Sequence, residues 1–248
     1  MPLTPPSALV RGERHFRWRG GDVSRIEALS DIVFALVLTL VILAEVPHTL
    51  DQLSESIWHL PSIVICWAIL LWFWHLHYLF HRRYGFEDVF TMAWNSVLLC
   101  LILIFAYPLK FMFLTLTYYL GYAMGLALPD VAIEILNSGN GTQSSNLMLF
   151  YCASFGLIFS LFALLNWHAL RRASELGLNE IELHLTRASM GANRVCVALS
   201  VAAIALVLLV PMGIPLAGMS FGLLGPLLWM QGMRAERGLQ VLLEKNHS

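Results

Sequence analysis

The chain has 248 residues, of which 58% are hydrophobic and only 12% are charged, and its mean hydropathy is +0.70. A typical soluble domain carries about 25% charged residues, so this composition excludes an ordinary soluble protein and indicates several membrane spans. The formal net charge of −1 excludes the strongly basic surface on which nucleic-acid-binding proteins depend.

The N-terminal segment, residues 1–24, is polar and contains no apolar stretch that could cross a membrane. Prolines and glycines interrupt any helix in it, and arginines give it positive charge; these residues are Pro2, Pro5, Pro6, Gly20, Gly21, Arg11, Arg14, Arg17 and Arg19. The pattern predicts a mobile cytoplasmic leader over residues 1–24. We expect a membrane domain over residues 25–233 and a polar cytoplasmic tail over residues 234–248.

Six apolar stretches follow the leader, each close to the length of about 20 residues that crosses a bilayer as a helix. They cover approximately residues 28–46, 57–80, 93–114, 147–167, 195–210 and 216–233. The third stretch contains Pro108 and continues as apolar sequence, so its helix either extends past the bilayer or bends at the proline. A polar loop is expected from Asp130 to Asn146. The predicted fold class is all-α, a polytopic membrane protein with about six transmembrane helices per chain.

The positively charged residues occur in every second loop. Beyond those of the leader, they follow the second, fourth and sixth spans; they are Arg82, Arg83, Arg171, Arg172, Arg187, Arg194, Arg234, Arg237 and Lys245. Lys110, near the outer end of the third span, breaks the pattern. Because cytoplasmic loops carry the excess of Lys and Arg, an even number of spans with both termini cytoplasmic is predicted. We expect a multi-pass protein of the cell inner membrane.

The first span carries polar groups where an apolar helix would enter the bilayer. Ser30 and Asp31 lie at this depth, where ionisable residues are costly and usually face a protein interior. Arg25 is six residues before Asp31, roughly 240° around a helix, so the two cannot pair within it. Each of these charged groups therefore needs a partner on another helix.

A leucine stripe follows along the same span. Leu36, Leu40 and Leu43 fall on one side of the helix, with Thr39 about 60° away and Asp31 roughly opposite. Such a stripe is more common in ordinary helix packing than in a pore, and the pattern by itself leaves both interpretations open. In a pore, the Thr39 hydroxyl could face a passing ion.

The string R-x-x-x-L-S-D-x-V-F-A-L-x-L-T-L, which begins at Arg25, resembles the first helix of the transmembrane protein 175 family of potassium channels. A second string, W-x-x-H-x-L-F from Trp74, resembles the end of that family's second helix. Asn95 and Pro108 resemble residues of its third helix. The resemblance covers approximately residues 25–108.

The resemblance implies a homotetramer in which four copies of the first helix surround a pore and conduct potassium passively. It places Leu36 at the family's isoleucine constriction, with Leu40 and Leu43 in the layers that follow. Such apolar rings would form a hydrophobic gate, because they exclude ions that keep their water. The resemblance also implies a buried polar network near the cytoplasmic side, composed of Arg25, Ser30, Asp31, Trp74 and His77.

The alternative function is a proton-coupled secondary transporter in which Asp31 and His77 titrate. No internal repeat typical of such transporters is found in the sequence. His77 and His81 are spaced i, i+4 without a third ligand nearby, so we expect no metal site. No catalytic or phosphate-binding motif is present, so we expect no enzymatic activity and no cofactor. The expected partners are potassium ions as the permeant species, the lipid bilayer and further copies of the chain.

Overall fold

The computed structural model describes residues 15–43, 49–50, 56–138, 141–211 and 213–247, and these residues are helical almost throughout. Short 3-10 turns precede two of the helices. The α-helices, numbered in chain order, are α1 (Arg25–Leu43), α2 (Leu60–Tyr84), α3 (Val89–Ala123), α4 (Asp130–Ser138), α5 (Gly141–Arg171), α6 (Glu180–Leu209), α7 (Gly213–Ser220) and α8 (Leu224–His247).

Five helical segments in the described part of the chain are long and apolar enough to cross a membrane; they are Ile57–Tyr84, Val89–Ala123, Gly141–Arg171, Glu180–Leu209 and Gly213–Lys245. Helix α1 adds 19 residues with an apolar C-terminal part. At 1.5 Å per residue it is roughly 28 Å long, close to the hydrocarbon thickness of a bilayer. The prediction of an all-α polytopic membrane protein is confirmed.

Two helices extend beyond the apolar sequence that predicted them. Helix α6 begins at Glu180 because Asn179 starts it with a capping box. Asn179 Oδ1 accepts from Glu182 N at 2.8 Å, and Glu182 Oε2 accepts from Asn179 N at 3.0 Å. This box satisfies free N–H groups of the first turn, so the helix needs no apolar residues there. Helix α8 is continuous from Leu224 to His247, so the predicted start of the tail at residue 234 lies inside it.

Helix α3 passes through Pro108 without ending. It has 35 residues, so at 1.5 Å per residue it is roughly 52 Å long and exceeds the bilayer core. The Tyr151 hydroxyl of α5 donates to the carbonyl of Pro108, which ties α3 to α5 at this level. The predicted polar loop beginning at Asp130 instead contains α4 and the start of α5, so that prediction is wrong for the described residues.

The core lies between α2, α3, α5 and α6 and is rich in aromatic rings. Phe159 of α5 is 1% exposed and forms ring contacts with Trp72, Phe73, Phe155 and Phe162, with centroid separations from 4.7 to 6.1 Å. Helices α5 and α6 form the most extensive pair, and α7 and α8 pack on α6. Helix α1 packs on α2 and α3, at one side of this core.

Part of the predicted mobile leader is packed against the helices. Phe16 is 0% exposed, and Arg17 and Arg19 form ion pairs with Glu182 at 3.1 and 2.7 Å. A fully buried ring and a buried carboxylate require fixed partners, so residues 16–19 pack against the helices although the sequence predicted a mobile leader there. Residues 1–14 lie outside the described part of the chain.

Candidate pore helix and its polar network

Helix α1 has one face packed on its own chain and one face that the described residues leave open. Phe34, Val37 and Val41 are at most 4% exposed and belong to the core that α2 and α3 share. Leu36 and Leu40, on the other side, are 51% and 52% exposed. In a membrane, an apolar face that its own chain does not cover contacts either lipid or another protein chain.

The open face continues toward both ends of the helix. Leu29 and Ile32 extend it toward the N-terminus. Thr39 is exposed beside it, and its hydroxyl donates to the carbonyl of Ala35 at 2.7 Å. Since the hydroxyl hydrogen is used within the helix, the oxygen lone pairs remain available to an outside group. Leu43 ends the helix, and its side chain is not among those described.

Asp31 and Trp74 form the first part of the predicted polar network. The indole Nε1 of Trp74 donates to Asp31 Oδ1 at 2.9 Å, which joins α1 to α2. The Trp74 ring is stacked on Tyr78 with centroids 5.6 Å apart, one turn further along α2. Asp31 is exposed within the single chain, so this contact lies outside the buried part of the predicted network. A hydrogen bond to a carboxylate is stronger than one between neutral groups, and this one links α1 to α2.

Ser30 and His77 form the second part, and Asn95 of α3 connects them. Asn95 Nδ2 donates to Ser30 Oγ at 3.0 Å, and Asn95 Oδ1 lies 2.8 Å from His77 Nε2. Ser30 in turn donates to the carbonyl of Ile26 at 2.8 Å. This assignment places the imidazole hydrogen of His77 on Nε2. All three side chains are at most 2% exposed, so α1, α2 and α3 share one buried polar contact.

The fifth predicted member, Arg25, lies apart from these contacts. Its side chain is exposed at the first residue of α1. Among the described residues it makes no hydrogen bond or ion pair with Ser30, Asp31, Trp74 or His77. The structure therefore brings Asp31 to Trp74 and Ser30 to His77, and it leaves Arg25 outside both groups.

Other functional side chains near α1 escaped the sequence interpretation. Asn95 is the residue that joins Ser30 to His77, although the sequence interpretation noted it only as part of a resemblance. Arg82 Nε lies 3.8 Å from Glu27 Oε1, in the first turn of α1. The spacing of Ser24 and Glu27, S-x-x-E, is a capping-box pattern and could have indicated this turn.

In the described part of the chain, no three His, Cys, Asp or Glu side chains are grouped as a metal site.

Replacing Asn95 with leucine is expected to destabilise the packing of α1 on α2 and α3. The change leaves the Nε2 hydrogen of His77 buried without an acceptor and removes the donor to Ser30. An unsatisfied buried polar group costs about 1–3 kcal/mol, and thermal unfolding in detergent measures this loss. The control is Ser96→Ala, because Ser96 is exposed and bonds only within its own helix. Equal unfolding temperatures for the two variants would contradict the role given to Asn95.

Comparison with known proteins agrees with this geometry. A family model described as the endosomal/lysosomal potassium channel TMEM175 matches residues 25–108. A curated protein of Marivirga tractuosa named "Potassium channel" is 32% identical over 204 residues, covering 80% of each chain. A solved structure is also similar: the crystal structure of a threonine-to-alanine variant of the potassium channel MtTMEM175 in complex with a nanobody–MBP fusion protein. The TM-score is 0.81 and the sequence identity is 29%. The match covers 91% of this chain and 98% of that chain.

A second solved structure has the same fold at lower similarity. It is the lysosomal potassium-selective channel TMEM175 homolog of Chamaesiphon minutus, with a TM-score of 0.53, 23% identity and coverage of 85% of this chain and 96% of that chain. The identity and coverage of the Marivirga protein, together with the family model over the first helices, decide the assignment. This chain belongs to the TMEM175 family of potassium channels.

Proposed function

We propose that the protein is a homotetrameric potassium channel in which four copies of α1 line a central pore. The observation that carries this proposal is the open apolar face of α1, opposite a face that is completely packed. A four-fold arrangement would bring Leu36 and Leu40 of each copy together as successive rings. Family membership supports potassium conduction, since the Marivirga relative is named a potassium channel.

The side chains on the open face favour selection of ions by the cost of removing their water, rather than by coordination of the ion with protein oxygens. Leucine rings present no oxygen that could replace the water around an ion, so they exclude ions in proportion to the strength of hydration. Potassium holds its water less tightly than sodium, and a narrow apolar ring therefore favours potassium. Thr39 would contribute hydroxyl oxygens beside the rings.

The arginine distribution supports an orientation with both termini in the cytoplasm of the cell and the channel in the inner membrane. Arg17 and Arg19 contact the first turn of α6, and Arg82 near the end of α2 contacts the first turn of α1. Arg172, beyond the end of α5, pairs with Asp88 at 3.4 Å. These cationic groups thus belong to helix ends on one side of the bundle, which the positive-inside rule assigns to the cytoplasm.

Passive conduction needs no cofactor, metal or catalytic residue, and potassium is the permeant species. The alternative, a proton-coupled transporter, would use Asp31 and His77 as a titrating pair. Asp31 bonds to Trp74, and His77 bonds to Asn95. Within the described residues, no hydrogen bond connects Asp31 with His77. The arrangement favours a helix-locking role for both groups over proton transfer between them.

Potassium flux into proteoliposomes tests the proposal. We expect the purified protein to pass potassium down its gradient without any proton gradient, and to pass sodium more slowly. Protein-free liposomes are the control for leakage. Flux that appears only under an opposing proton gradient would support the transporter instead, and no flux at all would contradict both functions.

Asp31→Asn separates the two functions within the same assay. Asparagine keeps an oxygen that can accept from Trp74 Nε1 but cannot carry a titrating charge. We expect this variant to retain most of the passive potassium flux. Loss of all flux, with the protein still folded and tetrameric, would indicate that the charge of Asp31 takes part in transport.

A further inference from the structure

A segment of the N-terminal part of the chain, residues 16–21, lies across the ends of α2 and α6 and is here named the N-terminal strap. It contains Phe16, Arg17, Arg19 and Gly20, and residues 22–24 connect it to the first turn of α1. None of these residues lies on the open face of α1. The contacts of the strap nevertheless connect the first turn of α6 to the N-terminal end of α1, which is here called the base of α1.

Glu182, in the first turn of α6, is the anchor of the strap. Its side chain is fully buried, and each carboxylate oxygen accepts three hydrogen bonds. Oε1 accepts from the backbone N and Nε of Arg17 and from Nη1 of Arg19, at 2.8, 3.1 and 3.2 Å. Oε2 accepts from Nη2 of both arginines and from the backbone N of Asn179, at 3.1, 2.7 and 3.0 Å. Hydrogen bonding to Glu182 raises the pKa of Arg17 above its usual value, although burial acts in the opposite direction.

The strap next contacts the C-terminal end of α2 through its backbone. The N–H groups of Arg19 and Gly20 both donate to the carbonyl of Arg82 at 3.2 Å. The close approach of the strap backbone to α2 requires a glycine in the strap, Gly20, and a glycine just after α2, Gly85. A Cβ at Gly20 would lie 2.9 Å from the carbonyl oxygen of His81, and Gly85 has a φ of +60° with its Cβ position 3.0 Å from the carbonyl oxygen of Arg19.

Arg82 contacts both the strap and the first turn of α1, and so connects the two. Its guanidinium lies over the Trp18 ring at 4.8 Å and donates from Nη1 to the carbonyl of Gly21 at 3.2 Å. Its Nε lies 3.8 Å from Glu27 Oε1. Glu27 Oε2 accepts from Ser24 N at 2.9 Å, and Ser24 Oγ accepts from Glu27 N at 3.2 Å, which closes the first turn of α1.

An aromatic contact holds the other end of the strap. The buried Phe16 ring meets Tyr84 edge to face, with centroids 5.7 Å apart, and Arg83 lies over it at 5.0 Å. The Tyr84 hydroxyl donates to Thr186 Oγ1 at 2.8 Å, one turn beyond Glu182 in α6. The strap is therefore held on α2 at both of its ends and on α6 through Arg17 and Arg19.

We propose that Glu182 is a positioning residue of the channel, which holds the base of α1 in its conducting position through the strap and Arg82. This inference deepens the proposed function and rests on it. Glu182 touches no residue of the open face, so it cannot act on the ion directly. Because four pore helices must reach the axis at the same angle, release of one anchor per subunit lets the N-terminal end of each α1 move and lowers the open probability of the pore.

Glu182→Gln tests this inference in single-channel recordings of the full-length protein. The variant removes the negative charge that pairs with both arginines but keeps the shape of the side chain. We expect the open probability to fall by about threefold or more with unitary conductance unchanged, since the anchor biases an equilibrium and does not line the pore. The matched control is Glu180→Gln, because Glu180 is in the same helical turn and is exposed. Equal open probabilities in the two variants would overturn the inference.

Substitutions of Arg19, the strap residue that pairs with Glu182, test the same inference if Glu182→Gln does not fold. Arg19→Gln should show the same loss of open probability. Arg19→Lys should recover only part of it, because lysine keeps the positive charge but lacks the guanidinium that bonds both carboxylate oxygens of Glu182. Amide hydrogen exchange over residues 25–31 should be about tenfold faster in Arg19→Gln than in the wild-type protein. Unchanged exchange would overturn the inference, whereas a wild-type protein without potassium current would overturn the channel proposal itself.

Discussion

Replacing Leu36 or Leu40 with asparagine is expected to raise potassium current and to reduce discrimination against sodium. Four asparagines would replace an apolar ring with carboxamide groups that hydrogen-bond water, so ions could pass without losing their hydration. If the change lowers the barrier by about 1.4 kcal/mol, current rises about tenfold. Bilayer recordings in symmetric and bi-ionic potassium and sodium solutions measure both effects.

A control for this prediction is Leu208→Asn. Leu208 is 63% exposed, similar to the two pore candidates, but it belongs to α6 rather than α1. We expect potassium current and the ratio of potassium to sodium permeability to match the wild-type values. Unchanged currents in both Leu36→Asn and Leu40→Asn would remove the leucine stripe from the conduction path.

The largest effect on stability is expected for Phe159→Ala. The Phe159 ring contacts four other aromatic rings, those of Trp72, Phe73, Phe155 and Phe162. Alanine at this position would leave a cavity among them. Lipid cannot fill a cavity inside the helix bundle, so the lost van der Waals contacts are not replaced. A buried Phe→Ala change costs about 3–5 kcal/mol, and an unfolding temperature lower by roughly 6–12 °C corresponds to the lower end of that range.

Phe150→Ala is the matched control, since Phe150 is in the same helix and is 40% exposed. It should change the unfolding temperature by a degree or two at most, in line with surface substitutions of about 0.5 kcal/mol. If the two alanine variants unfold at the same temperature, the aromatic cluster is not the main source of stability in the bundle.

The sequence was sufficient for the features that depend on local composition. Long apolar stretches predicted membrane helices, and the leucine stripe of α1 was visible from helical spacing alone. What the sequence could not decide was whether that stripe packs within the chain. The structure answers this part, because Val37 and not Leu36 faces the core, and the described residues leave Leu36 and Leu40 free for lipid or for another subunit.

Contacts between distant parts of the chain were the features that local patterns missed. Arg17 and Glu182 are separated by 165 positions, and nothing near either residue indicates the other. The proline and glycine content of residues 1–24 suggested mobility, whereas Gly20 in fact permits close contact with α2. Helix ends were predicted poorly for a related reason, since polar capping by Asn179 extends α6 where the apolar sequence has not yet begun.

A structure of the assembled protein in a lipid nanodisc is the most direct test of the central claim. Four copies of α1 should meet at a shared symmetry axis, with Leu36 and Leu40 of each copy facing the axis as two rings. The strap should contact α6 of the same subunit through Glu182. An assembly in which the open face of α1 contacts lipid, away from any symmetry axis, would contradict the account.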